Sequence, residues 1–197
     1  MKTLIIATKN KGKIAEFNDM LQDRWDVKSL LDYDIADIPE NGSTFEENAA
    51  AKAEAVASMF GCMAAADDSG LEVDALNQEP GVYSARYAGP QKNDEENINK
   101  LLQELKGVPE EERTARFVCV IAVAVPGEKT ITFRGSCDGV IHPVKEGANG
   151  FGYDPVFFLP SYNKTMAQLS SVQKNEISHR GKALKLAADY ISNTMNE

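Results

Sequence analysis

Residues 62–70 limit what this chain can fold into more than any other stretch. Cys62-Met63-Ala64-Ala65-Ala66 carries no charge and passes directly into Asp67-Asp68-Ser69-Gly70. The apolar half reads as a short buried strand. The polar half, with a hydroxyl and a residue tolerant of φ > 0, reads as a tight turn that breaks it. A fold built on that strand must hold two adjacent carboxylates at the margin of its interior. Desolvated neighbouring carboxylates repel, so such a pair persists with a cation, a shared proton or abundant hydrogen bonds. A hard divalent ion such as Mg²⁺, bound by one or two carboxylates plus substrate phosphate oxygens, meets that need. An Asp-rich turn with both acids in water is the plainer alternative.

The rest of the chain reads as one domain spanning residues 1–197, with no repeat, low-complexity tract or long linker. A chain of this length buries roughly 70% of its unfolded surface. Its net charge of −9 argues against a protein that coats a nucleic acid polymer, because that binding rests on many Lys and Arg contacts to phosphate. The charge is uneven, however. Lys2, Lys9, Lys11 and Lys13 fall in the first thirteen residues with no acid among them, so a positive patch coexists with an acidic whole. No apolar run approaches the length of a membrane span and no signal-like segment opens the chain, which leads to the expectation of a cytoplasmic protein without a membrane partner. Cys62, Cys119 and Cys137 are far apart and lack metal-ligand spacing, so they read as reduced core thiols.

Periodicity places a first strand at Thr3–Ala7 and a helix over about 12–22, through Ile14, Phe17, Met20 and Leu21. Ser43 and Thr44, with Glu46 and Glu47 each three residues on, doubly mark the start of an alanine-rich helix that Gly61 stops after Phe60. Residues 80–87 read as an ordered loop and 93–106 as an amphipathic helix. The runs 115–125 and 129–141 flank Pro126-Gly127 as a hairpin, and Val156–Leu159 is a further strand. Ile177, Leu184, Ala188, Ile191 and Met195 mark one last helix. The fold class expected is α/β: a mixed, elongated sheet with flanking helices, forming two lobes around a central cleft.

Two further segments suggest chemistry. Thr8-Lys9-Asn10-Lys11-Gly12-Lys13 lies where strand hands over to helix, a place that favours anions through backbone N–H groups and the helix dipole. It is not a Walker A loop, which with Lys13 as its lysine would need Gly at 7 and Ser or Thr at 14, where the chain has Ala7 and Ile14. Read alone, it also suits a solvated basic turn capped by Asn10. Phe151-Gly152-Tyr153-Asp154 suits a loop whose glycine admits a flat ligand and whose aromatics stack on a base, or else a β-bulge with core aromatics. Glu40, Lys52, Lys174, His179 and Arg180 add charge whose plain reading is solvated surface.

Taken in order, these segments resemble the inosine/xanthosine triphosphate pyrophosphatases, which cleave deaminated purine nucleoside triphosphates to monophosphate and pyrophosphate. The likeness is carried by residues 8–13, by Gly42-Ser43-Thr44-Phe45-Glu46-Glu47-Asn48-Ala49 with Lys52, and by Ala66-Asp67-Asp68-Ser69-Gly70-Leu71. It continues through residues 80–87, Phe151-Gly152-Tyr153-Asp154-Pro155 and Ser178-His179-Arg180-Gly181, nearly the whole length. Lys9 departs from the pattern, since many relatives carry a small residue there.

The resemblance implies that Asp68 binds magnesium and positions or deprotonates the attacking water, with Glu40 as a further metal ligand and Asp67 as support. It implies that Thr8, Lys9, Asn10, Lys11, Gly12 and Lys13 cradle the triphosphate, that Lys52 adds charge near the metal, and that Ser69 hydrogen-bonds the nucleotide. Phe151, Gly152, Tyr153, Asp154, Lys174, His179 and Arg180 would hold the base and sugar. There a donor such as Arg180 or a backbone N–H would favour a 6-keto purine over adenine. The implied partners are a purine nucleoside triphosphate substrate and a second copy of the chain in a homodimer. Two other readings stay open: a pyrophosphatase of the same architecture acting on a modified pyrimidine nucleotide, and a nucleotide sensor that binds without cleaving.

Overall fold

The computed structural model describes residues 2–21, 25–36 and 38–193, apart from the side chains of Glu16, Met20 and Asn175. Met20 and Met195, two members of the expected helical stripes, fall outside that description. Among the described residues the strands are β1 (Lys2–Ile6), β2 (Trp25–Ser29), β3 (Met63–Val73), β4 (Thr114–Ala124), β5 (Ile131–Ile141), β6 (Phe157–Leu159) and β7 (Lys164–Thr165). The α-helices are α1 (Lys11–Leu21), α2 (Phe45–Phe60), α3 (Asp94–Glu104), α4 (Ser171–Ile177) and α5 (His179–Asn193).

The strands form one mixed sheet in the order β2-β1-β3-β4-β5-β6-β7. β1 runs parallel to both neighbours, with Ile6 opposite Ser29 of β2 and Ala65 of β3, whereas β6 is antiparallel to β5 and β7. Parallel neighbours require crossovers, and α1 and α2 supply them. A strand flanked on both sides by parallel partners is buried on both faces, and Leu4, Ile5 and Ile6 all are. Among the described residues no helix is long and apolar enough to cross a membrane.

The chain divides into two compact units. The first comprises Met1–Asp68, Cys119–Gly135 and Lys182–Glu197, and the second Ser69–Val118 and Ser136–Gly181. The core of the first joins Leu4, Ile6, Phe17 and Trp25 with Ile121, Val123, Leu184 and Ile191. That of the second gathers Leu71, Val73, Ile98, Leu101, Phe117, Tyr153 and Phe157. Helix α2 begins where Thr44 Oγ1 accepts from the Glu47 N–H at 3.1 Å, and it ends at Gly61, whose φ of 63° is the left-handed stop that glycine allows.

Three expectations are corrected. No turn follows Ala66: β3 runs unbroken through Asp67, Asp68, Ser69 and Gly70, because Leu71 and Val73 are fully buried and draw the extended chain onward. The last helix is two helices, broken at Ser178, whose ψ of 129° is not helical. Residues Gly81–Arg86 form a 3-10 helix where a loop was expected. Strand β2, at the sheet edge, was not anticipated at all.

Candidate active site

In the first unit the opening turn is built by Asn10. Its Oδ1 accepts from the N–H groups of Gly12 at 2.9 Å and Lys13 at 3.2 Å, and its own N–H donates to Thr8 Oγ1 at 3.2 Å. This caps α1 and leaves Lys11 and Gly12 exposed on its first turn. Lys9 reaches the carbonyl of Ile35 at 2.9 Å. The turn lies beside the acids because β1 and β3 are parallel neighbours, and the Ala7 N–H donates to the Ala65 carbonyl at 2.7 Å just before the chain leaves the sheet. Lys13 then closes the gap, with Nζ 2.6 Å from Asp67 Oδ2.

Asp67 and Asp68 are 4% and 9% exposed, and as successive strand residues they point to opposite faces of the sheet. Asp67 takes Lys13. Asp68 Oδ2 accepts from Asn48 Nδ2 at 2.9 Å, while Asn48 Oδ1 accepts from the Gly42 N–H at 2.7 Å. A side chain at 42 is excluded, since a Cβ there would lie 2.7 Å from that of Glu47. One turn beyond Asn48 on α2, Lys52 donates to Glu40 Oε1 at 2.5 Å and to the Asp67 carbonyl at 2.6 Å. Glu47 is held below the usual carboxylate range by the Ser43 hydroxyl and then by the Ser43 N–H.

In the second unit the candidate residues centre on the loop before β6. Gly150 adopts φ +83°, and a Cβ on it would sit 1.9 Å from Asp154 Oδ2. Asp154 is buried, accepts from the Phe151 N–H at 3.0 Å and pairs with Lys174. The Lys174 ammonium also lies 4.9 Å from the centroid of the Phe151 ring, which is 66% exposed. The Gly152 N–H donates to Asp94 Oδ2 at 2.7 Å, fastening the loop to the first turn of α3. Tyr153 is buried, its hydroxyl donating to the Ser84 carbonyl at 2.8 Å, and burial pushes its phenol well above the usual tyrosine range. The His179 ring stacks on Phe117 at 5.2 Å, Arg180 follows it on α5, and Ser69 sits on β3 directly after Asp68.

A model of the Ham1 family matches residues 4–190. The chain belongs to the Ham1 family. It is 57% identical over 185 residues to the dITP/XTP pyrophosphatase of Shouchella clausii, covering 93% of each chain. It is 56% identical over 187 residues to the protein of the same name from Halalkalibacterium halodurans, covering 94% of this chain and 96% of that one. Among solved structures, the Ham1 protein of Staphylococcus aureus superposes with a TM-score of 0.92 at 48% identity, covering 98% of this chain and 100% of that one.

In this Ham1 chain direct contacts join Lys13, Asp67, Lys52 and Glu40, and separately Asp68 and Asn48, all within the first unit. Within the second they join Phe151, Asp154 and Lys174. Tyr153, expected as a stacking candidate, lies instead in the core, which leaves Phe151 as the exposed ring of that loop. Among the described residues no three acidic, histidine or cysteine groups converge as a metal cluster. Asp68 and Glu40, the two expected ligands, each offer carboxylate oxygens, the donor type a hard cation prefers. Two residues that bond to the candidates, Asn48 and Asp94, were given no role by the reading of the sequence. Asn48 had a signal: it is a polar amide inside the buried stripe Phe45, Ala49, Ala53, Val56 of α2.

Proposed function

We propose that this chain hydrolyses deaminated purine nucleoside triphosphates (ITP, dITP and XTP) to the monophosphate and pyrophosphate, with Mg²⁺ held by Asp68 and Glu40. The observation that carries the reading is the Lys13–Asp67 contact: it sets the basic turn at the carboxyl end of β1 against a buried acid inside the neighbouring parallel strand β3. That is where open α/β sheets bind their ligands. The names borne by relatives at 56–57% identity support the same substrate class.

Phosphoryl transfer depends on positioning and charge neutralisation more than on covalent chemistry by the protein. When bound, Mg²⁺ supplies Lewis acidity at the phosphate oxygens and acidifies a water. Lys13 and Lys52 neutralise the phosphate chain, the N–H groups of the opening turn hold it, and the Asp68 carboxylate accepts the proton of the attacking water. Ser69 hydrogen-bonds the nucleotide. The base side falls to Phe151 as a stacking face, with Lys174, His179 and Arg180 as donors toward a 6-keto purine. Each donor left facing the amino group of adenine would cost about 1–3 kcal/mol, so two mismatches separate the substrates by roughly thirtyfold to twenty-thousandfold. The enzyme would act in the cytoplasm, as a homodimer, on free nucleotides.

A panel of inosine, xanthosine, guanosine, adenosine and thymidine triphosphates, assayed for pyrophosphate against orthophosphate with and without Mg²⁺, tests the proposal. Magnesium-dependent pyrophosphate release that is fastest with inosine and xanthosine triphosphates is the expected result. Release of orthophosphate, or equal turnover of ATP, would overturn it.

A further inference from the structure

We infer that Asn48 is a positioning residue for hydrolysis: its amide sets the rotation of the Asp68 carboxylate and ties it to the 40–42 segment that carries Glu40. The inference rests on the function proposed above. Asn48 is 1% exposed and stands on the buried stripe of α2, where its neighbours Phe45, Ala49 and Ala53 are apolar. A polar amide in such a place costs stability unless both its ends are bonded. Both are, and by groups of opposite demand. The Gly42 N–H requires an acceptor and takes Oδ1 at 2.7 Å, while the Asp68 carboxylate requires a donor and takes Nδ2 at 2.9 Å. The amide therefore has one orientation only, and through it Asp68 and the chain two residues beyond Glu40 move as one piece. Outer hydrogen bonds of this kind fix the direction of ligating carboxylates, and their loss typically costs 10–100-fold in metal affinity or activity.

A merely structural Asn48 would join α2 to the preceding segment and matter for stability alone. Two variants of the full chain separate the roles. Asn48→Ala removes both bonds. Asn48→Asp keeps the volume and the acceptor for Gly42 while replacing the donor toward Asp68 by a second carboxylate. Steady-state pyrophosphate release from inosine triphosphate, Mn²⁺ binding read by electron paramagnetic resonance, and Tm are measured together, with Asp68→Asn alongside.

In both variants kcat is expected to fall about 10- to 100-fold with KM within about threefold, and the Mn²⁺ Kd to rise about tenfold or more. A folded Asn48→Asp with wild-type kcat and Mn²⁺ Kd, beside an inactive Asp68→Asn, overturns this inference and leaves the proposed function standing. Wild-type turnover by Asp68→Asn removes the proposed role of Asp68, and this inference with it. Should neither Asn48 variant fold, the wild-type protein decides. The Asn48 side-chain amide resonances are expected to shift on Mg²⁺ addition over the same concentration range as the Asp68 backbone, and resonances that stay still overturn the inference.

Discussion

In the first unit the acids Asp67 and Asp68 are buried and bonded to groups distant along the chain, whereas in the second Phe151 and Gly152 ride on a loop shaped by its backbone. Asp67 and Asp68 lie inside a continuous strand, and Lys13, Asn48, Lys52 and Glu40 converge on them or on each other by short polar contacts. On the loop, Gly150 and Gly152 take φ of +83° and +58°, and the ring of Phe151 stands mostly in solvent. The difference fits the two tasks proposed for these residues. Cutting a polyanion calls for charges whose positions are fixed before the substrate arrives. Choosing a base calls for a surface shaped by a few donors and a flat face, and glycines let the backbone approach it.

The sharpest way to break this comparison is Asp68→Asn. The introduced amide can still offer an oxygen to Asn48 Nδ2, so the fold should persist with Tm little changed. Turnover should fall roughly 10²-fold or more, the scale on which a positioned base acts. Near-wild-type pyrophosphate release from the folded variant would show that the buried cluster is not where cutting occurs.

Gly150→Ala strikes the other unit. Its φ is costly for any side chain, and the new Cβ would displace the Asp154 carboxylate that holds both Lys174 and the Phe151 N–H. The expected result is about a tenfold loss in the kcat/KM ratio of inosine triphosphate over ATP, the equivalent of one misplaced polar contact, with Mg²⁺ dependence unchanged. A preserved ratio would take selectivity away from this loop. Asp94→Ala is gentler. It removes one exposed anchor of the Gly152 N–H, worth about 0.5–1.5 kcal/mol, so the same ratio should fall about two- to tenfold. An effect on kcat that leaves the ratio unmoved would instead link the loop to cutting.

How much of this was legible in the sequence depends on how far each feature reaches. The bounds of α2 were, because Thr44 and Gly61 act on backbone groups within one turn. The unbroken course of β3 was not: two acids in succession look like an exit from a strand, and what buries them, Lys13 and Asn48, is distant along the chain. Strand β2 was missed because an edge strand of five residues shows only Trp25 and Ser29 buried, too little for a pattern. The break at Ser178 hides inside an apolar stripe that runs on across it. For the site, the family resemblance named the lysines and carboxylates, but the residues alone could not sort Phe151 from Tyr153. Which of two nearby aromatics enters a core is decided by the partner waiting there, and here Ser84 offers its carbonyl to the tyrosine hydroxyl.

The smallest effect sharpens the comparison from the stability side. Burial, and then the charges of Glu79 and Glu104, push the Tyr87 phenol up from 10.0 to about 12, and burial raises Tyr153 as well. Both belong to the second unit. In the unfolded chain a tyrosine releases its proton near pH 10, while the folded state holds these two protonated for longer. Their contribution to stability is therefore complete below pH 10 and drains away as pH rises toward 12 and beyond. Tyr153→Phe has no proton to lose at that position, but it forfeits the bond to the Ser84 carbonyl, about 1 kcal/mol at neutral pH. Thermal unfolding of the two proteins should thus differ most at neutral pH, the variant melting lower, and the gap should narrow above pH 10. Parallel curves would mean that Tyr153 does not feel its burial as a titrating group. If hydrogen exchange under alkali opens the first unit before the second, the alkaline weakness lies elsewhere than in these two phenols.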